Sequence, residues 1–217
     1  MNRCRSQTAT AGFSLVELAV VLVIIGLMLG GLLIPLGTQI ESDKRKENAA
    51  TLESIKDALI GFAIINQRLP CPDTNADGRE DCPSVAPDGG PKGLPFADLG
   101  VSRNDAWGNP WLYAVTNAFT LLATPIDHTT VGNINVGTTN NGCANALLAR
   151  NVPALVWSNG KTDNGGVLEG ENTGVNNSCY IDADYRQVAP LFDDMLVWIP
   201  PGLLLNRMAA AGRLPSP

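Results

Sequence analysis

From Leu18 to Leu36 the chain carries no charged or polar side chain, only Leu, Val, Ile, Ala, Met, Gly and Pro35. A bilayer core takes about 20 helical residues at about 1.5 Å each, so this run is expected to span a membrane. A secretory signal peptide would have a shorter apolar region, about 7 to 15 residues, closed by small residues of the A-x-A type. Here Pro35-Leu36-Gly37-Thr38-Gln39 follows instead, and no cysteine stands there to take a lipid. A plain single-pass anchor is the simplest alternative. Pro35 is expected to kink or locally melt the helix, while Gly26-x-x-x-Gly30 suits close helix approach.

The front edge of the run reads Ala11-Gly12-Phe13-Ser14-Leu15-Val16-Glu17-Leu18, after a short acid-free stretch containing Arg3 and Arg5. Glu17 is out of place in a simple anchor. A carboxylate costs about 2.5 to 3.5 kcal/mol at mid-bilayer depth and less near the interface, so it calls for a partner. This passage resembles the prepilin cleavage and methylation motif of the type IV pilin-like proteins. The resemblance implies that a membrane peptidase cuts between Gly12 and Phe13 and methylates the new amino terminus on Phe13. It also implies an assembly role for Glu17, which would neutralise the amino terminus of a neighbouring subunit and set axial register as each subunit leaves the lipid.

With 217 residues, 45% of them hydrophobic, the chain has material for one globular domain plus one long element. Without residues 1–12 the balance is 13 basic against 21 acidic residues. A surface of that sign repels phosphates, which disfavours nucleic acid as a partner. Beyond Cys4 the cysteines are Cys71, Cys82, Cys143 and Cys179, with no C-x-x-C spacing and only His128 to join a metal site. Two structural disulfides in an oxidising compartment are expected. Three connectivities are open. Locality and the Gly/Asn/Asp-rich loops that would be closed favour Cys71 with Cys82 and Cys143 with Cys179.

Past Gly37 the charged stretch 41–48 gives way to Leu52, Ile55, Leu59 and Phe62 at helical spacing. The helix is therefore expected to continue to Arg68-Leu69-Pro70, with Lys56 and Asp57 in water. In the next loop Asp73, Asn75, Asp77 and Gly78 match the first half of a calcium-binding loop, although the twelfth position is Ser84. Calcium is a possible ligand there, and a disulfide-pinned turn is the competing reading. The passage Asp105-Ala-Trp-Gly-Asn-Pro-Trp-Leu-Tyr-Ala-Val115 reads as a turn feeding a strand, with Trp107, Trp111 and Tyr113 available to anchor a sheet on the helix. It resembles the Asp-x-Trp-Gly-x-Pro-aromatic-x-Tyr passage of the major pseudopilins of type II secretion systems. Further strands are expected at 119–123, 154–158 and 195–199, loops at 132–142 and 159–177, and a closing helix at 203–211.

Enzyme motifs fail. Gly160-Lys161-Thr162 lacks the leading glycine of a phosphate loop, since position 155 is Leu155, and no G-x-S-x-G surrounds Ser158 to join Asp127 and His128 in a triad. Asp193 and Asp194 precede a strand and would alternate across it, as a solvated edge.

The expected fold is α+β and pilin-like: a long amino-terminal helix, transmembrane in its first half, packed on a small antiparallel β-sheet domain with long loops. Its expected parts are a removed leader (1–12), a transmembrane segment (13–37), a periplasmic helix (38–69) and a disulfide-stabilised β-rich domain (70–217). The resemblance implies no enzyme but a structural subunit of an envelope-spanning filament, most readily a type II secretion pseudopilus. Its partners would be other pilin-like subunits, the prepilin peptidase, an inner-membrane assembly platform and, before assembly, the lipid bilayer. A minor pilin of a type IV pilus, or a tip adhesin on the same anchor, is the alternative.

Overall fold

The computed structural model describes residues 12–82, 92–139, 143, 147–162, 169–172, 178–186, 188 and 191–215, with the side chains of 29–36, 169 and 171 outside the description. The expected leader, apart from Gly12, and Ser84 therefore lie outside the described residues. Two compact units follow one another along the chain, one through Asp43 and one from Lys44 onward.

Helix α1 (Leu15–Asn66) enters both units. It is continuous through position 35, so the local melting expected at Pro35 does not interrupt it. In the first unit every described side chain from Phe13 to Met28 is exposed. Among the described residues no helix is long and apolar enough to cross a membrane; the span expected over 13–37 includes the undescribed side chains 29–36.

In the second unit α1 buries Leu52, Ile55, Leu59, Ile60 and Ala63. The helix ends slightly earlier than expected, at Asn66, because Gln67 turns left-handed (φ 57°). The stripe lies against an antiparallel sheet ordered β1 (Lys92–Gly93), β2 (Leu112–Val115), β5 (Ala154–Ser158) and β7 (Met195–Trp198). Trp111, Tyr113, Val115 and Val156 meet the helix on this face, joined by Leu204 and Met208 of α4 (Pro201–Ala210). Pro201 sits in the first turn of α4, where its missing N–H costs nothing.

The opposite face carries Ala114, Leu155 and Trp157 against a second sheet ordered β4 (Leu147–Val152), β3 (Ile134–Gly137) and β6 (Cys179–Ile181). Trp157 and Tyr180 meet there with ring centroids 5.2 Å apart. Strand β5 is thus covered on both sides, which explains why all five of its residues are buried in an unbroken, mostly apolar run. Short helices α2 (Phe96–Leu99) and α3 (Glu169–Asn172) complete the described elements.

Several expectations are corrected. There is a second sheet, and it is mixed, since β3 and β6 run parallel. Strand β3 lies inside the expected loop 132–142; Ile134 and Val136 alternate inward there despite the Gly and Asn around them. Residues 119–123 are not a strand. A 3-10 turn (Asn117–Phe119) closes them, held by Thr120 Oγ1 donating to Asn117 O at 2.9 Å. Asp193 and Asp194 are 6% and 5% exposed, not solvated. Asp193 Oδ2 accepts the amides of Lys161 and Thr162 at 3.1 and 3.0 Å, and Asn172 Nδ2 donates to Asp194 Oδ2 at 2.7 Å.

Candidate functional site

Helix α1 begins with Ser14-Leu-Val-Glu17, a reciprocal cap. Ser14 N donates to Glu17 Oε2 at 3.0 Å, while Val16 N and Glu17 N donate to Ser14 Oγ at 3.2 and 3.4 Å. This is the capping-box arrangement, which satisfies amides that a helix start leaves without carbonyl partners. Phe13, 87% exposed, and Gly12 lie immediately before it. The expected cleavage bond therefore lies in accessible chain just ahead of the helix, and the carboxylate of Glu17 sits one helical turn behind it. The pattern S-x-x-E was available in the sequence as the signal for this cap.

The loop after α1 is built on its own side chains. Cys71 and Cys82 are disulfide-bonded with Cα atoms 5.7 Å apart, and Cys143 and Cys179 with Cα atoms 5.6 Å apart. Asp73 is 3% exposed. Its Oδ1 accepts the amides of Asn75 and Ala76 at 3.1 and 2.7 Å, and its Oδ2 the amide of Gly78 at 2.7 Å. Asn75 Oδ1 accepts Asp77 N at 2.9 Å, and Asp77 Oδ1 accepts Arg79 N at 2.8 Å. Gly78 has φ +87°, and an added Cβ would meet the Phe96 ring at 2.5 Å. Glycine is required there on both counts. Each of the three expected calcium ligands serves as an amide acceptor within this loop. Carboxylate and amide oxygens keep further lone pairs for a hard cation.

Glu80 fastens this loop to the end of α1. Arg68 Nη1 and Nη2 donate to its two oxygens at 2.7 and 2.6 Å, and Cys71 N donates to Oε2 at 3.0 Å. Burial alone would raise the Glu80 carboxyl; the Arg68 hydrogen bonds, the Cys71 amide and the Arg68 charge outweigh it and hold the group below its ordinary range. The sulfurs of Cys71 and Cys82 lie within 4.8 Å of this carboxylate, but the disulfide removes them as metal ligands. A depressed carboxylate contributes stability above its unfolded value, about 4.3, and the contribution is lost as pH falls through the folded value. Glu80→Gln should therefore be less stable than the parent in urea at pH 7, with the gap closing toward pH 3. A gap unchanged by pH would remove the ion pair from the account.

The tryptophan-glycine passage is a fastening point. Asp105, 8% exposed, accepts Trp107 N and Asn109 N on Oδ1 at 2.9 and 2.8 Å and Ser158 Oγ on Oδ2 at 2.5 Å. Ala106 N donates to Oδ1 of buried Asn48 on α1 at 2.9 Å. The turn therefore ties α1, β2 and β5 together. Trp111 and Tyr113 are core residues, Tyr113 Oη donating to Pro70 O at 3.1 Å, whereas Trp107 is half-buried. Ser158 donates to Asp105, and Asp127 accepts from Thr129 and Thr130. Asn48 was not singled out in the sequence, although it lies four residues before Leu52 on the buried stripe.

Among curated proteins, type II secretion system core protein G of Aeromonas hydrophila is 32% identical over 106 residues, covering 46% of this chain and 70% of that protein. No family model matches the chain, and no solved structure matches it. On that similarity, joined to an α+β fold of helix and antiparallel sheet, the chain belongs to the type II secretion pseudopilin family, whose members are structural subunits of pilin-like filaments rather than enzymes.

Proposed function

We propose that the chain is made as a prepilin, cut between Gly12 and Phe13, methylated on Phe13 and held in the inner membrane through residues 13–37. Its second unit then stands in the periplasm until an assembly platform draws the subunit out of the lipid into a type II secretion pseudopilus. The observation that carries this reading is the unbroken exposure of apolar side chains from Phe13 to Met28. Each Leu, Val or Ile left in water forgoes about 1.5 to 3 kcal/mol of burial. Lipid first, and neighbouring helices afterwards, supply the cover that the chain itself does not.

The intact mass of the protein from native membranes tests the processing. Loss of residues 1–12, one added methyl group and two disulfides are expected. An uncut amino terminus would reduce the protein to a membrane-tethered domain.

A minor subunit, either of this filament or of a type IV pilus, is the second reading. It is favoured by the half of the chain without a counterpart in the relative. The copy number of the chain in sheared filaments separates the two.

Calcium belongs to the same reading as a ligand of Asp73, Asn75 and Asp77. Its binding should raise the unfolding temperature in calcium over that in chelator, and Asp77→Ala should remove the difference. No shift in the parent would leave the loop as a turn alone.

A further inference from the structure

Each of the two sheets ends in a strand whose outer edge has no strand partner among the described residues. For β7 the phase of the ladder can be read. Ile199 N donates to Ala154 O at 2.9 Å, so in the register of β5 with β7 the backbone groups of Met195, Val197 and Ile199 face β5. Those of Leu196 and Trp198 face outward. A groove of about 240 Å³ runs along this edge, between Arg45, Ala49 and Glu53 on α1 and Asp182 and Ala183.

The groove contains a second signal. Nη1 of Arg45 is buried with no hydrogen-bond partner among the described residues, while its guanidinium stacks on the Tyr185 ring at 3.9 Å. A buried donor without an acceptor is costly and scarce in folded proteins. An extended backbone laid along β7 would bring carbonyls to Arg45 and pair with Leu196 and Trp198 together. That is the geometry of strand addition.

Charge selects the occupant. The groove wall carries Glu53, which is ion-paired with Lys56, and the carboxylates of Asp182 and Asp194, with Asp184 following in the chain; burial and then the Asp184 charge push the Asp182 carboxyl up. Strand β4, one of the two end strands of the other sheet, has Arg150 as its one charged residue, exposed on the same face as Leu148. Pairing β4 with β4 would oppose two arginines, and β7 with β7 would gather carboxylates. Of the pairings between these two edges, β4 on β7 joins opposite signs. Such a contact is heterologous, so each copy offers both halves and the contact can propagate without closing into a two-fold dimer. The same arginine blunts the edge against self-pairing.

We propose that in the assembled filament the β4 edge of one copy lies along the β7 groove of the next, adding a strand across the subunit boundary. The proposal rests on the filament reading. Its test uses the full chain, assembled in its own envelope, with the exposed groove residue Ala49→Cys and the exposed strand residue Leu148→Cys in one molecule. A short bis-maleimide should give a ladder of dimers, trimers and higher multimers, absent from either single-cysteine chain. Arg150→Glu should weaken the ladder about fivefold or more, and adding Glu53→Lys should restore part of it. Filaments that form normally but give no ladder would overturn the strand contact and leave the filament reading standing. If the unsubstituted chain forms no filaments and is not incorporated into any, the filament reading falls, and the strand contact with it.

Discussion

Glu17→Gln should be cut at Gly12 as the parent is, yet fail to enter filaments. The substitution separates the helix cap seen in the structure from the counter-charge proposed for assembly. As the last member of the cap, Glu17 accepts Ser14 N at 3.0 Å, and glutamine can accept the same bond. As a charge, it is the only ionised group between Phe13 and Leu36, and glutamine removes it. If the carboxylate neutralises the amino terminus of a neighbouring subunit, its loss leaves a buried cation without its counter-charge. That costs about 3 to 5 kcal/mol, a factor of roughly a hundred to a few thousand in each subunit addition. Filament yield in sheared fractions should therefore fall at least about a hundredfold for both Glu17→Gln and Glu17→Ala. Processing, read from the intact mass in membranes, should stay at parent level in both. Normal incorporation of Glu17→Gln with failure of Glu17→Ala would assign Glu17 to capping and abolish the register mechanism.

The parts of the fold that were legible in the sequence are those whose burial is one-sided and local. The stripe Leu52, Ile55, Leu59 repeats at helical spacing because one face of α1 meets a sheet. Strands β5 and β7 stand out as apolar runs. Strand β3 escaped because only Ile134 and Val136 turn inward, and its parallel partner begins at Cys179, far along the chain. Strand β4 is half exposed at an edge, so its pattern is diluted by Arg150 and Asn151. The buried pair Asp193 and Asp194 shows a different limit. Their amide and side-chain donors come from Lys161, Thr162 and Asn172, which no local spacing reveals. The candidate site divides the same way: Gly12, Phe13 and Glu17 form one contiguous motif, whereas Glu80 acquires its role only when Arg68 and Cys71 fold back on it.

Asp105→Ala should lower the stability of the second unit more than any exposed change in the same turn, without affecting cleavage. Three hydrogen bonds end on this nearly buried carboxylate, and one of the donors, Ser158 Oγ, is fully buried. Alanine leaves two amides and a hydroxyl without acceptors, and an unsatisfied buried donor costs about 1 to 3 kcal/mol. A total near 3 kcal/mol lowers the unfolding temperature by roughly 6 to 12 °C for a protein of this size. Asp105→Asn keeps an oxygen for the Trp107 and Asn109 amides but presents N–H groups toward Ser158, so it should cost less. The ordering of Ala above Asn follows from the bonds on each oxygen. Ser158→Ala should also cost stability, since it leaves the Gly160 amide, which donates to Ser158 Oγ at 3.0 Å, and Asp105 Oδ2 without these partners. Equal losses for Ala and Asn would mean that the contact with Ser158 dominates. Parent-like unfolding of Asp105→Ala would show that the turn holds its place through Trp111 and Tyr113 alone, by packing against Leu52, Ile55 and Leu59.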